Sequence, residues 1–285
     1  MKVSKLICLL LSIVVLSGCA AGEMTVSPKS DVAGTSSAPQ SVTVTVLGDS
    51  IASGYGLENI AEERYSRLLK KKCESDGKIS FEYNFAVNGA DTSDLLKDLK
   101  EGKYTTLDKS DYIIISIGGN NFLGYAMDFF KNNIAAFISM EDNKGAAFDD
   151  YNAFIEDVLK GLEQFEKDLP EITKQIHEKT DAVIILQTVY NPYINSELSF
   201  YVGGTAHKLS ELADSYIAKL NSIITDKAAA YVYAVADIYT AFKKSTEKNV
   251  NAEVEKSVIG LGLDPHPNVA GHRLIADTIY PMISK

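Results

Sequence analysis

Val42-Thr43-Val44-Thr45-Val46-Leu47 runs straight into Gly48-Asp49-Ser50, and this stretch decides the architecture. A short β-rich apolar run stopped by turn residues reads as a strand. A serine directly after that strand, where the chain turns into a helix, is presented at the top of a sheet with its own N–H facing the space above. The same serine equally fits a plain helix N-cap. Beyond it, apolar runs alternate with helical patterns, the mark of a parallel sheet with crossover helices. Strands are expected over Val42–Leu47, Phe81–Val87, Tyr112–Ile117, Ala182–Thr188 and Tyr231–Val235. Ile113-Ile114-Ile115 is apolar without alternation, as a central strand covered on both faces requires. Helices are expected near Ala61–Cys73, Ser93–Lys100, Phe122–Ile138, Tyr151–Leu169, Lys208–Ala228 and Ala270–Ile283. In Tyr151–Leu169 one stripe carries Ile155, Val158, Leu159, Leu162, Phe165 and Leu169, a core-facing pattern that Pro170 ends or kinks. The class is α/β: a three-layer α/β/α sandwich with a five-stranded parallel sheet, in which sites gather at the carboxyl ends of the strands.

The N-terminus reads as an export signal. Met1 to Lys5 is basic, Leu6 to Leu16 is an apolar run, and Leu16-Ser17-Gly18-Cys19 follows. At about 1.5 Å per residue the run falls short of a ~30 Å hydrocarbon core, so residues 1–18 read as a signal peptide. Small residues before Cys19 resemble a lipobox, with cleavage before Cys19 and lipid on its sulfur; an ordinary cleavage site with an incidental cysteine is the alternative. Residues 19–41 are then the lipidated cysteine and a flexible tether rich in Ala, Gly, Ser, Thr and Pro. Residues 42–285 form one domain, placed on the outer side of a membrane by the N-terminal lipid.

Composition narrows the rest. Apolar residues at 46% and charged residues at 23% give a chain with a real core. The net charge of −10 becomes −12 once Lys2 and Lys5 leave with the signal, which argues against nucleic acid or an anionic membrane surface as a partner. With Cys8 removed and Cys19 carrying lipid, Cys73 stands alone, so no intramolecular disulfide forms. Scattered histidines and no cysteine cluster suggest no metal site, and Gly118-Gly119-Asn120 lacks the Lys-Ser/Thr of a phosphate loop. No cofactor is expected.

Three further stretches carry chemistry. The second strand leads into Asn88-Gly89-Ala90, the third into Gly118-Gly119-Asn120-Asn121, and Asp264-Pro265-His266-Pro267-Asn268 precedes the last helix. Together with Gly48-Asp49-Ser50, and in this order, they resemble the four blocks of the SGNH (GDSL-type) hydrolase superfamily. Thr188-Val189-Tyr190-Asn191-Pro192-Tyr193 resembles the bacterial GDSL-type lipases and esterases. The resemblance implies a serine esterase that hydrolyses acyl esters without a cofactor. It implies Ser50 as nucleophile and His266 as general base, with the Ser50 and Gly89 N–H groups and the Asn120 amide as oxyanion donors. Such roles fit ester chemistry, which needs a nucleophile, a base and donors for a developing oxyanion. Two positions depart from the pattern. The supporting acid usually stands three residues before the histidine, where this chain has Leu263; Asp264, two before, is the candidate, with Asp237 a weaker one. The residue after the oxyanion asparagine is commonly Asp and here is Asn121, a supporting position.

Each residue also has a plain structural role open to it: a turn glycine at 89, a turn or cap at 120, a rigid surface loop at 266. His272 is expected exposed or capping, His177 on a solvated face, and His207 at the start of a helix. The inserts 118–151 and 191–209 are expected to wall the pocket with Phe122, Leu123, Tyr125, Phe129, Phe130, Tyr193, Phe200 and Tyr201, unless these merely pack the helices. An apolar wall suits a lipid ester. A short polar pocket suits a carbohydrate O-acetylesterase acting on cell-wall polysaccharide. A surface lipoprotein that binds a ligand without catalysis is the alternative of a different class, supported by the register of Asp264.

Overall fold

The computed structural model describes residues 40–133, 150–197, 199–202, 204–252 and 264–284. The expected signal peptide, Cys19 and nearly all of the tether lie outside the described residues, as does Leu263. Five strands form the sheet: β1 (Ser41–Gly48), β2 (Ile79–Asn84), β3 (Tyr112–Ser116), β4 (Val183–Gln187) and, after two strands of a separate hairpin, β7 (Ala234–Ala236). Their order is β2-β1-β3-β4-β7 and every pairing is parallel. The chain leaves β1 toward one edge and returns to its other side, so the crevice above β1 and β3 is the topological switch point.

Between the strands run α1 (Ser50–Ser53), α2 (Ile60–Glu63), α3 (Tyr65–Ser75), α4 (Thr92–Lys100), α5 (Asn120–Asn132), α6 (Tyr151–His177), α7 (Leu209–Tyr231), α8 (Ile238–Lys244) and α9 (Val269–Ile283). Successive strand residues point to opposite faces, which divides the core in two. Ile113, Ile115, Ile184 and Leu186 pack with Leu95 and Leu99 of α4, Phe165 and Leu169 of α6, and Leu220 and Ile224 of α7. Val44, Val46, Ile114 and Ile185 pack with Tyr65, Leu69 and Cys73 of α3, Phe242 of α8, and Ile275 and Ile279 of α9. Each such side chain contributes ~1.5–3 kcal/mol on burial, which is what holds helices on both faces of the sheet.

Several boundaries differ from the sequence reading. Pro170 neither ends nor visibly divides its helix, which continues to His177. The lost backbone bond and ring clash cost about 3 kcal/mol, and burial of Leu169, Ile172 and Ile176 against the sheet offsets that. The expected helix Ala61–Cys73 breaks at Arg64, whose backbone is extended. The break lets Arg64 Nη2 reach Glu82 at 2.8 Å and buries Tyr65 completely. The last strand starts at Ala234, because α7 runs on to Tyr231 and ends in left-handed Val232. A hairpin of β5 (Ser199–Val202) and β6 (Thr205–Lys208), along with α8, had no counterpart in the sequence reading. His207 therefore sits in β6 and does not open a helix.

His272 corrects the sequence reading most sharply. It is fully buried in the first turns of α9, stacked on Tyr65 with ring centroids 6.0 Å apart, and its Nδ1 accepts the Tyr65 N–H at 3.3 Å. Burial, aided by the nearby His266, lowers its pKa to about 4, so it is held neutral. The unfolded chain takes up a proton there near pH 6.5 and the folded chain does not. Stability contributed by neutral His272 is thus complete above about pH 6.5 and is lost as pH falls toward 4, by up to roughly 3 kcal/mol. Urea melts between pH 4 and 7 should show this loss in the wild type and a much flatter difference profile in His272→Gln.

Candidate active site

The site is assembled where β1 and β3 end side by side. Gly48, in left-handed conformation at φ 127°, faces Ser116 so closely that a Cβ would lie 1.8 Å from the Ser116 carbonyl oxygen. Only glycine fits there, and the Asp49 N–H then donates to that carbonyl at 3.0 Å. Asp49 is the N-cap of α1: its Oδ1 accepts from the Ile51 N–H at 3.0 Å and from the Ser116 hydroxyl at 3.2 Å. Ser50 follows as the first residue of α1, at the mouth of a cleft.

His266 reaches the same point from the other end of the chain. Its Nε2 lies 2.9 Å from Ser50 Oγ, and its Nδ1 lies 2.5 Å from Asp264 Oδ1. With Nδ1 donating to the carboxylate, Nε2 is left to accept the serine proton. Asp264 therefore meets the imaginable difficulty of its register: Oδ1 also accepts the His266 backbone N–H at 3.0 Å, so the two-residue spacing closes a tight turn. Asp237 is engaged elsewhere, as the N-cap of α8, and does not contact His266. Tyr55 packs on the imidazole with centroids 4.6 Å apart. Behind it the Tyr190 hydroxyl donates to the Pro265 carbonyl at 2.6 Å. Neither tyrosine had been assigned a role from sequence. Tyr190 lies inside the quoted 188–193 stretch, but nothing local says where its hydroxyl goes.

On the opposite side, Asn120 opens α5 and lines the cleft beside Ser50, its Nδ2 donating to the Ala90 carbonyl at 2.9 Å. That bond ties it to the loop of Gly89, which has φ 82° and whose N–H meets no acceptor among the described residues. Asn121, at the supporting position, is buried and hydrogen-bonded to Thr92.

The cleft leading away from Ser50 runs between α5, α6 and α7 and is partly open to solvent. Phe122, Leu123, Phe154, Leu212 and Tyr216 line it, as does Tyr193. The aromatics split between the two roles the sequence left open. Phe122, Leu123 and Tyr193 face the cleft, whereas Phe129 packs on Phe154 and Phe200 in a cluster behind it. Tyr125 is exposed.

A serine hydroxyl, an imidazole and a carboxylate in sequence, at the switch point of a parallel sheet, define a protein with the constellation used for acyl transfer on unrelated folds. The chain belongs to the GDSL-like lipase/acylhydrolase family, whose model matches residues 46–274, and it is a carboxylic ester hydrolase. It is similar to the uncharacterized protein YpmR of Bacillus subtilis (strain 168), 26% identical over 250 residues that cover 86% of this chain and 82% of YpmR. Its fold is similar to that of the lipase Lip_vut3 from a goat rumen metagenome, with TM-score 0.60, 22% identity and coverage of 84% of this chain and 96% of the other. It is likewise similar in fold to phospholipase A1 from Streptomyces albidoflavus NA297, with TM-score 0.59, 20% identity and coverage of 85% and 98%.

Asp49 shapes the pH response next to the site. Burial raises its carboxyl pKa to about 7, against the lowering effect of the bonds from Ile51, Ala52 and Ser116. The fold thus favours the protonated acid, and stability contributed there is lost as pH rises from about 4 to about 7. The sign is opposite to that of His272. In Asp49→Asn the amide cannot ionise, so the variant should gain on the wild type across that window by a few kcal/mol at most (on the order of 1.4 per pKa unit). Denaturant midpoints that move in parallel with pH in both proteins would contradict this.

Proposed function

We propose that the protein cleaves esters of medium or long acyl chains through a covalent acyl-enzyme on Ser50. The observation that carries the substrate reading is the apolar cleft that starts at Ser50 and runs between α5, α6 and α7. An acyl chain laid there would remove apolar surface from water at ~25 cal/mol per Å², an incentive that an acetyl group cannot exploit.

Ser50 Oγ attacks the ester carbonyl carbon while His266 Nε2 takes the serine proton, a transfer favoured by their 2.9 Å contact. The oxyanion that forms is met by the Ser50 and Gly89 N–H groups and the Asn120 amide. Loss of one such donor typically costs ~3–4 kcal/mol in the transition state. The intermediate collapses, the C–O bond to the alcohol breaks, and His266 returns the proton to the leaving alkoxide. Water, deprotonated by the same imidazole, then releases the acid and regenerates Ser50. Asp264 holds the imidazole in its tautomer and offsets its transient charge. The carboxylate side chain is 43% exposed, so its effect is smaller than that of a fully buried acid. The Asp264–His266 contact supports this reading over a non-catalytic ligand-binding lipoprotein, whose one support was the register of Asp264. Export and lipidation at Cys19 would place this cleft outside the cell membrane, within reach of lipid esters. Incorporation of a labelled fatty acid that persists in Cys19→Ala would overturn that placement.

Ser50→Ala should lower kcat by on the order of 10⁴–10⁶ and abolish fluorophosphonate labelling, and Asp264→Asn should cost less than the roughly 10⁴ typical of a buried acid. A nitrophenyl ester series from acetyl to dodecanoyl separates the substrate readings. We expect kcat/KM to climb with chain length to at least octanoyl, and Ala213→Phe, which fills the cleft, to shift the optimum toward acetyl. A wild-type optimum at acetyl would favour the carbohydrate O-acetylesterase.

A further inference from the structure

A buried carboxylate that the proposed chemistry does not use lies behind the oxyanion side of the site. Asp168, on α6, is only 4% exposed and faces the start of α4. Its Oδ2 accepts the Thr92 hydroxyl at 2.9 Å and the Ser93 hydroxyl at 3.1 Å, and its Oδ1 accepts the Gln164 amide at 2.7 Å. All three donors are neutral. The carboxylate lies beside the first turn of α4, whose backbone N–H groups are taken by Asp91 and Asn121.

The donor directions continue toward the site. Because the Thr92 hydroxyl gives its proton to Asp168, its oxygen is free to accept from Asn121 Nδ2, 2.8 Å away. Asn121 Oδ1 in turn accepts the Thr92 N–H at 3.3 Å. Thr92 comes three residues after Gly89, and Asn121 directly follows Asn120. The same helix makes a second contact at this point: a Cβ on Gly161 would lie 1.9 Å from the Asn121 carbonyl oxygen, so α6 touches the first turn of α5 backbone to backbone. Asp168 thus sets the direction of the Thr92–Asn121 bond, which joins the two loops alongside the Asn120–Ala90 bond, and those loops carry two of the three oxyanion donors.

We propose that Asp168 is a positioning residue for the oxyanion hole, fixing the Gly89 N–H relative to the Asn120 amide through Thr92 and Asn121. The proposal rests on the serine-hydrolase reading of the site. An asparagine at 168 has one acceptor oxygen in place of two, so it cannot take all three donors, and its own amide competes for Thr92. Donors aimed at the oxyanion act in the transition state more than in substrate binding, so the deficit belongs in kcat.

The test compares Asp168→Asn with Ile172→Val, a core change on the same helix outside the network, on the best nitrophenyl ester. We expect Asp168→Asn to lose about tenfold or more in kcat with KM within twofold, while Ile172→Val keeps kcat. If Asp168→Asn does not fold, Thr92→Val and Thr92→Ser take its place: valine should reproduce the kcat loss and serine, which keeps the hydroxyl, should restore it. Wild-type kcat in the folded variant, a loss confined to KM, an equal loss in Ile172→Val, or serine no better than valine overturns the proposal. Ser50→Ala is measured alongside. If it stays active, the reading of the site itself has failed; if it is dead while Asp168→Asn is fully active, only the positioning role has.

Discussion

The close approach of Gly48 to the Ser116 carbonyl fixes how the ends of β1 and β3 meet, and the site depends on it. A side chain at position 48 would collide with backbone, and a backbone carbonyl at a strand end cannot step aside. With that approach allowed, the Asp49 N–H closes on Ser116, Asp49 caps α1, and Ser50 begins a helix at a set height above the sheet. β3 ends level with β1, pairing Gly48 with Ser116, so the loop to Asn120 rises beside Ser50 and not behind it. Ser50 and Asn120 are therefore placed side by side by one strand pairing.

The rest of the site is brought in by contacts distant in sequence. His266 comes from the far end of the chain, held by a bridge between Val250 and Pro267, by its own carbonyl accepting the Asn251 N–H at 2.9 Å, and by Tyr190. The loop of Gly89 is held by α6 through Asp168 and Thr92. The helices on the two faces thus serve different partners. α6 packs behind the loops of Gly89 and Asn120, and the packing of α3 with α9, through Tyr65 and the neutral His272, underlies the histidine side. Packed interiors transmit small displacements, so changes in either layer should be felt at Ser50.

Most of this was legible where local chemistry decides the outcome. The strands showed in their β-branched runs and the sheet class in their alternation with helices; Ser50, Gly89, Asn120 and His266 stood out only through the order of four stretches that resemble one family, since each stretch alone fits a turn, cap or loop equally well. What was missed depends on tertiary contacts. Pro170 looked like a stop because its local cost is visible, while the burial of Ile172 and Ile176 that offsets it is not. His272 looked exposed because a histidine on a helix usually is; only the juxtaposition with Tyr65, 207 positions away, buries it. The β5–β6 hairpin had a local signal, the pair Gly203-Gly204 between two short β-rich runs, that went unread. Asp168 was not singled out, because nothing in its own helix signals the Thr92 and Ser93 hydroxyls that meet it.

The register of Asp264 shows how a departure from a family pattern can keep the geometry. Two residues of spacing place a carboxylate too near its histidine for an extended chain, so the dipeptide must fold back. Pro265 fixes φ between them, at little entropic cost on folding. Asp264 Oδ1 then accepts from both the backbone N–H and the ring Nδ1 of His266, joining the two residues into one unit. Proline leaves a carbonyl with no N–H partner of its own in this turn, and Tyr190 supplies the donor. Tyr55 covers the ring from the other side. An imidazole so confined has one ring nitrogen committed to Asp264 and only Nε2 left to face Ser50. The orientation that a longer spacing would secure through the acid alone is here shared among a turn, a proline and two tyrosines.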